Sequence, residues 1–260
     1  MNAAALSVSS LDVNVPGRQL VKQLSFAVDG GEMLAVLGRN GTGKSLTLHS
    51  IAGLRDCDAG SIRIDGSDRD TIDGRELARR IALLPQHADD VFPSSVLETA
   101  MTGRYPHVPA LSWETSADVA ITHDALADMD LAALANRDVL TLSGGERRRL
   151  AIAQVLAQQP AVYLLDEPIN HLDPQHQLDV MRRFRQLADE GCSVVVTLHD
   201  VNLAARFADR CLLLFGDGRW ELGESDRILT AEHLSELYAT PMQRLEVDGT
   251  ALFVSSGLVA

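Results

Sequence analysis

The sequence predicts an α/β fold with a mainly parallel core sheet, an antiparallel β part at its N-terminus and an inserted helical subdomain. Three observations lead there. Strand-like and helix-like runs alternate through the second half of the chain, and a sheet joined by helical crossovers must be largely parallel. Gly38-Arg39-Asn40-Gly41-Thr42-Gly43-Lys44-Ser45 follows the apolar run Met33-Leu34-Ala35-Val36-Leu37 and precedes a helical apolar pattern over residues 46–54. Glycines, a lysine and a hydroxyl at that spacing, set between a strand and a helix, form a phosphate-binding loop. From residue 87 to residue 142 the pattern turns helical, with Pro- and Gly-bearing loops between the helices.

In chain order, residues 6–15 and 24–28 read as strands around the Pro16-Gly17 turn, and Asp29-Gly30-Gly31 turns the chain into the strand before the phosphate loop. Residues 61–64 form a strand closed by Asp65-Gly66, 75–80 a short helix, and 81–85 a strand that ends at Gln86. The clearest helices of the insertion cover 96–102 and 114–129. A helix at 143–159, a strand at 161–165, a helix at 174–190, a strand at 192–198, a helix at 201–208 and a strand at 210–215 follow. Gly216-Asp217-Gly218 opens a hairpin, two short helices fall within 225–238, and a strand pair flanks Asp248-Gly249. The expected organisation is one domain over 1–260, with the helical subdomain at approximately 87–142 and a C-terminal accessory segment at approximately 217–260.

Composition narrows the function. With 46% hydrophobic and 23% charged residues the chain is ordinarily globular, which leaves no room for a long disordered arm. A net charge of −13 argues against nucleic-acid binding, whose affinity comes from Lys and Arg on phosphates. Cys57, Cys192 and Cys211 are an odd, scattered set, expected as free thiols in a reducing compartment. Apolar runs are far shorter than the roughly 18 residues that span a bilayer, and the N-terminus lacks a signal-peptide pattern. The expected location is therefore cytosolic, with any membrane part supplied by another protein.

The chemistry concentrates at a few positions. Glycines 38, 41 and 43 let successive N–H groups converge on phosphate oxygens at a helix N-terminus. Lys44 reaches the β- and γ-phosphates, and the Ser45 hydroxyl ligates Mg²⁺. Val162-Tyr163-Leu164-Leu165-Asp166-Glu167 is an apolar strand ending in two carboxylates, and ligand sites of parallel sheets lie at such ends. Asp166 is placed to hold Mg²⁺, and Glu167 to orient or deprotonate the water attacking the γ-phosphate; the competing reading is a helix cap. Leu142-Ser143-Gly144-Gly145-Glu146 opens a helix and reads either as a second anion site or as a plain capped start. Arg147, Arg148 and Arg149 read as a solvated helix face. The histidines other than His199, among them His49, His107 and His171, read as ordinary polar residues.

The order of Gly38 to Ser45, Gln86, Leu142 to Glu146, Leu165 to Pro168, Leu172-Asp173 and His199 resembles the nucleotide-binding subunit of an ABC transporter over nearly the whole chain. The resemblance implies a P-loop NTPase fold and a head-to-tail homodimer. Each ATP would lie between the phosphate loop of one subunit and Ser143-Gly144-Gly145 of the other. Gln86 would contact Mg²⁺ or the attacking water, His199 would bond the γ-phosphate and act with Glu167, and Leu172-Asp173 would couple the two ATP sites at the dimer interface. A single set of motifs, a short stretch between Gln86 and Ser143 and no membrane span point to a stand-alone ATPase at the cytoplasmic face of the membrane, paired with permease chains and, indirectly, a substrate-binding protein. Phe92-Pro93, Val96-Leu97-Glu98-Thr99-Ala100, Gly103-Arg104-Tyr105-Pro106-His107 and Asn170-His171-Leu172-Asp173 are similar to importers of iron-siderophore complexes, haem and vitamin B12. Tyr105, Pro106 and His107 would then touch a cytoplasmic helix of the permease, or be an exposed loop. The alternative is a soluble ATP-switched interaction module. Two departures stand out: Val15 replaces the aromatic residue that commonly stacks on adenine, so ATP over GTP rests on the family, and Ile169 replaces a common threonine.

Overall fold

The computed structural model describes residues 4–87, 93–247 and 250–256. Phe92 and the Asp248-Gly249 turn lie outside the described residues. The chain begins with β1 (Leu6–Val15), β2 (Arg18–Val28), β3 (Met33–Leu37), α1 (Lys44–Ile51), β4 (Ala59–Ile64), β5 (Ser67–Asp68), α2 (Gly74–Arg80) and β6 (Ile81–Leu84). A helical stretch holds α3 (Val96–Met101), α4 (Ser116–Asp128) and α5 (Gly144–Gln158). Then come β7 (Val162–Asp166), α6 (Pro174–Asp189), β8 (Ser193–Leu198), α7 (Val201–Phe207), β9 (Arg210–Leu214), β10 (Trp220–Glu224), α8 (Ser225–Ile228), α9 (Ala231–Tyr238), β11 (Met242–Val247) and β12 (Thr250–Ser255).

The core sheet has the order β10-β9-β3-β8-β7-β6, parallel throughout except for β10. β1, β2, β4 and β5 make a separate antiparallel sheet, and β11 and β12 pair as a two-stranded sheet. β3, β7 and β8 are buried at every position, which requires cover on both faces. The period-two alternation supplies it. Leu34, Val36, Val162, Leu164 and Val195 pack toward the antiparallel sheet and α1, while Ala35, Leu37, Tyr163, Leu165 and Val196 pack toward the helices. The Tyr163 and Phe184 rings meet edge to face with centroids 5.6 Å apart, fixing α6 on the sheet.

Local sequence explains the helix starts. Ser95 with Glu98, Thr115 with Asp118 and Ser143 with Glu146 each form a reciprocal capping box, and Asp173 caps α6 ahead of Pro174. At the insertion, a Cβ on Gly103 would sit 2.2 Å from the Gln154 carbonyl oxygen, so only glycine lets this segment lie against α5. Arg104 beside it is buried, donating from Nε to Asp118 (2.9 Å) and from Nη1 to the Ala157 carbonyl (2.8 Å). Cys57, Cys192 and Cys211 are free thiols. Among the described residues no helix is long and apolar enough to cross a membrane.

Register positions the site. Leu37 is paired with Leu198 of β8, Asp166 of β7 with Thr197 of β8, and Leu84 of β6 with Leu165 of β7. The segments after β3, β6, β7 and β8 therefore emerge side by side at the carboxyl edge, where open α/β sheets bind ligands.

Candidate nucleotide site

The loop after β3 is shaped by its glycines. Gly43 has φ +103°, a left-handed conformation open to glycine, and a Cβ on Gly38 would fall 2.6 Å from the Leu214 carbonyl oxygen. Gly43 caps α1 without a side-chain bond, so the first N–H groups of α1 are not satisfied by a cap side chain. Thr42 Oγ1 donates to the Arg39 carbonyl (2.9 Å) and Thr47 Oγ1 to the Gly43 carbonyl (2.9 Å), pinning the loop at both ends. Lys44 is buried and its Nζ donates to the carbonyls of Gly38 (2.8 Å) and Arg39 (3.3 Å). Burial pushes its pKa below the usual lysine value, opposed by the charges of Glu167 and Asp166.

The two carboxylates at the end of β7 face different surroundings. Asp166 is fully buried, and its Oδ1 accepts from Thr197 Oγ1 at 2.7 Å. The same Thr197 oxygen accepts the Glu167 backbone N–H at 2.8 Å, so one residue of β8 holds the Asp166 carboxylate and the Glu167 backbone. Asp166 Oδ2 is buried without a hydrogen-bond partner. Such an orphaned anionic oxygen is costly unless a cation or donor meets it, which fits the metal role expected of this aspartate. Glu167 sits at φ +49°, an uncommon conformation for a side-chain-bearing residue. Its Oε2 accepts from Gln86 Nε2 (2.8 Å) and from Asn170 Nδ2, and His199 Nε2 lies 2.6 Å from its Oε1.

Several of these groups line a cavity of ≈ 740 Å³. Asn40, Gly41, Gly43, Lys44 and Ser45 of the phosphate loop line it together with Gln86, Glu167 and His199, and with Val15, Arg18 and Leu20. Gly38, Arg39 and Thr42 shape the loop itself and do not line the cavity. Ser143, Gly144, Gly145 and Asp173 do not line it. Ser143 and Gly144 are exposed at the start of α5, and the Asp173 carboxylate is turned to the His176 backbone and ring.

Sequence reasoning missed several residues here. Asn170 and Thr197 bond the two carboxylates directly, and His171, read as an ordinary loop histidine, lines the cavity. The reading of Arg147 to Arg149 as a solvated face is overturned at Arg148, which is 6% exposed and bonds backbone carbonyls at the ends of β6 and β7. Burial lowers its pKa to about 10, still protonated at neutral pH, with Asp166 and Glu167 opposing the shift. A signal was present: 148 falls on the same helical face as the buried Ala151, Ile152 and Val155.

Residues 21–170 match the family model described as ABC transporter. The hemin import ATP-binding protein HmuV of Pseudomonas entomophila is 39% identical over 238 residues, 90% of this chain and 92% of that protein. The cobalamin import ATP-binding protein BtuD of Halobacterium salinarum is 38% identical over 229 residues, 87% of this chain and 57% of that protein. A solved metal-chelate type ABC transporter in an inward-facing conformation has TM-score 0.83 and 32% identity, over 97% of this chain and 98% of that one. The matched span contains the phosphate loop, Gln86, the Ser143 helix start and the Asp166-Glu167 pair, and on that ground the chain belongs to the ABC transporter family, as an ATP-binding and ATP-hydrolysing member of it.

Proposed function

We propose that this chain is the ATPase subunit of an importer for a metal-chelate substrate: a ferric siderophore, haem or cobalamin. The observation that carries this reading is agreement between the printed roles of the relatives, hemin and cobalamin import, and the metal-chelate type of the structural neighbour. The placement of the site residues supports the following roles. Lys44 leaves the Gly38 and Arg39 carbonyls for the β- and γ-phosphates, while the N–H groups of residues 38–45 cradle them. Ser45, Gln86 and Asp166 would hold Mg²⁺, which when bound neutralises developing phosphate charge. Glu167 is the candidate base for the attacking water, with His199 beside it to bond the γ-phosphate.

The exposed Ser143-Gly144-Gly145 start of α5 is read as the binding surface for the ATP of a second, head-to-tail copy, with Leu172-Asp173 at that interface. Residues 87–142 serve as the helical subdomain and 217–260 as the accessory segment. A groove lined by Leu54, Leu77, Ala78, Ile81, Leu83 and Pro85 opens beside α2, whose Arg75 and Arg79 hold the Tyr105 and Pro106 carbonyls. That apolar surface and the exposed Tyr105 ring are the proposed seat of a permease helix, which puts the chain at the cytoplasmic face of the membrane. ATP closes the dimer, hydrolysis reopens it, and the difference in ATP affinity between the two states drives the permease.

Co-purification of the tagged chain from native membranes tests this, with ATPase assayed before and after candidate substrate-loaded binding proteins are added. Recovery with a polytopic permease, stimulated by one loaded binding protein, is the expected result. Recovery alone in the soluble fraction with full unstimulated turnover would replace the importer by a free-standing ATP-switched module.

A further inference from the structure

We propose that Arg148 is a positioning residue for hydrolysis, holding the strand end that carries Gln86 in register with the strand end that carries Glu167. A guanidinium has five N–H donors in a rigid fork and no acceptor. Here every donor is matched to a backbone carbonyl. Nε donates to Pro168 (3.0 Å), Nη1 to Pro85 (2.7 Å) and Gln86 (3.2 Å), and Nη2 to Asp166 (2.8 Å) and Glu167 (2.8 Å).

The location of those carbonyls gives the fork its meaning. The β6–β7 ladder stops at the pair Leu84 and Leu165, one residue short of Pro85 and Asp166. Beyond it the sheet no longer sets the distance between the two segments, yet Gln86 and Glu167 must stay within hydrogen-bond reach, Gln86 Nε2 donating to Glu167 Oε2 at 2.8 Å. Arg148 takes over where the ladder ends, clamping two carbonyls of one segment and three of the other. The side chain comes from α5, near the helix start that carries Ser143, so a shift of α5 against the sheet moves both groups together. The burial of the fork makes incomplete filling costly, because any carbonyl left without a donor has little water to turn to. Neither lysine, with three donors, nor glutamine, with two, can match all five carbonyls.

The inference rests on Glu167 and Gln86 acting in hydrolysis, and the test separates the two claims. The full chain is purified as wild type, Glu167→Gln, Arg148→Gln, Arg148→Lys, Gln86→Ala and Arg148→Gln/Gln86→Ala, with phosphate release, ATP affinity and melting temperature measured for each. Misplacement of reacting groups by about 1 Å costs up to about 100-fold, so both Arg148 variants are expected to lose about 10–100-fold in kcat with ATP affinity held within about threefold. In the Gln86→Ala background Arg148→Gln should cost markedly less than in wild type, since both changes act on one unit. Restored stability without restored turnover in Arg148→Lys would support the proposal further. Wild-type kcat in Arg148→Gln or Arg148→Lys overturns it, as does failure of both variants to fold, which would assign the guanidinium to stability alone. Turnover retained in Glu167→Gln would instead remove the reading on which the proposal stands.

Discussion

His199 Nε2 lies 2.6 Å from Oε1 of Glu167, a carboxylate whose other oxygen already accepts from the Gln86 and Asn170 amides. Both oxygens are thus engaged. An ionised carboxylate offers about four lone-pair positions and three are engaged here, so Oε1 keeps one for a proton from water. His199, with a side chain 41% exposed against 6% for Glu167, is the partner with room to turn toward the γ-phosphate.

Glu167→Gln keeps the volume and the hydrogen-bond acceptor but removes the base. Turnover should fall by about 10²–10⁴-fold, the usual span for general-base loss, while ATP still binds. Phosphate release and size-exclusion chromatography with ATP check this, the second expecting a trapped dimer. Undiminished turnover would move the base elsewhere.

Lys44→Ala acts on binding itself. The ammonium is buried beside the loop carbonyls, and its bonds to phosphate oxygens are charge-assisted. Loss of about 1.5–3 kcal/mol corresponds to an ATP Kd weaker by about 10- to 150-fold, measured by fluorescence titration or calorimetry. Unchanged affinity would contradict the placement of the γ-phosphate.

Much of this was legible because the pattern is local. The phosphate loop, the Asp166-Glu167 strand end and the capped start at Ser143 are each written in contiguous residues, and β–α alternation gave the parallel sheet. What stayed hidden depends on contacts across the chain. Thr197 is an unremarkable residue of β8 until the register sets it opposite Asp166. Asn170 was readable as a motif letter, but its bond to Glu167 depends on the turn after β7, where Glu167 itself has φ +49°. Arg148 failed for a different reason: three arginines in a row suggest solvent, and only packing of α5 against the strand ends buries the middle one.

Asp118 gives a pH-dependent prediction away from the site. Its carboxylate accepts from the Thr115 hydroxyl (2.7 Å), the Thr115 N–H (2.9 Å) and Arg104 Nε (2.9 Å). The Thr115 hydroxyl chiefly, then its N–H and Arg104, hold the pKa down at about 2. A depressed native value contributes stability that is fully present above the unfolded value of about 3.9 and is lost as pH falls toward the native one. Asp118→Asn should lower the melting temperature at neutral pH by about 4–8 °C, from about 2 kcal/mol spread over a domain of this size. The gap to wild type should narrow between about pH 4 and pH 2. Thermal melts across that range decide it, and a pH-independent gap would assign the effect to packing.

Val15 tests how the base is held. It lines the cavity with Arg18 and Leu20, and the Arg18 guanidinium is anchored to the Gly216 carbonyl at 3.0 Å. A valine offers an apolar face but no π-system, so base stacking contributes less here than an aromatic ring would supply. Val15→Tyr should therefore tighten ATP by about 0.5–1.5 kcal/mol, roughly two- to tenfold in Kd, with kcat unaltered because the reacting phosphates are not touched. Any purine would gain similarly, since stacking reads the ring face rather than its edge groups. Parallel titrations with ATP and GTP on both proteins measure this directly. Equal tightening for the two nucleotides places the base against residue 15, and no change in either would place it on the Arg18 and Leu20 side instead.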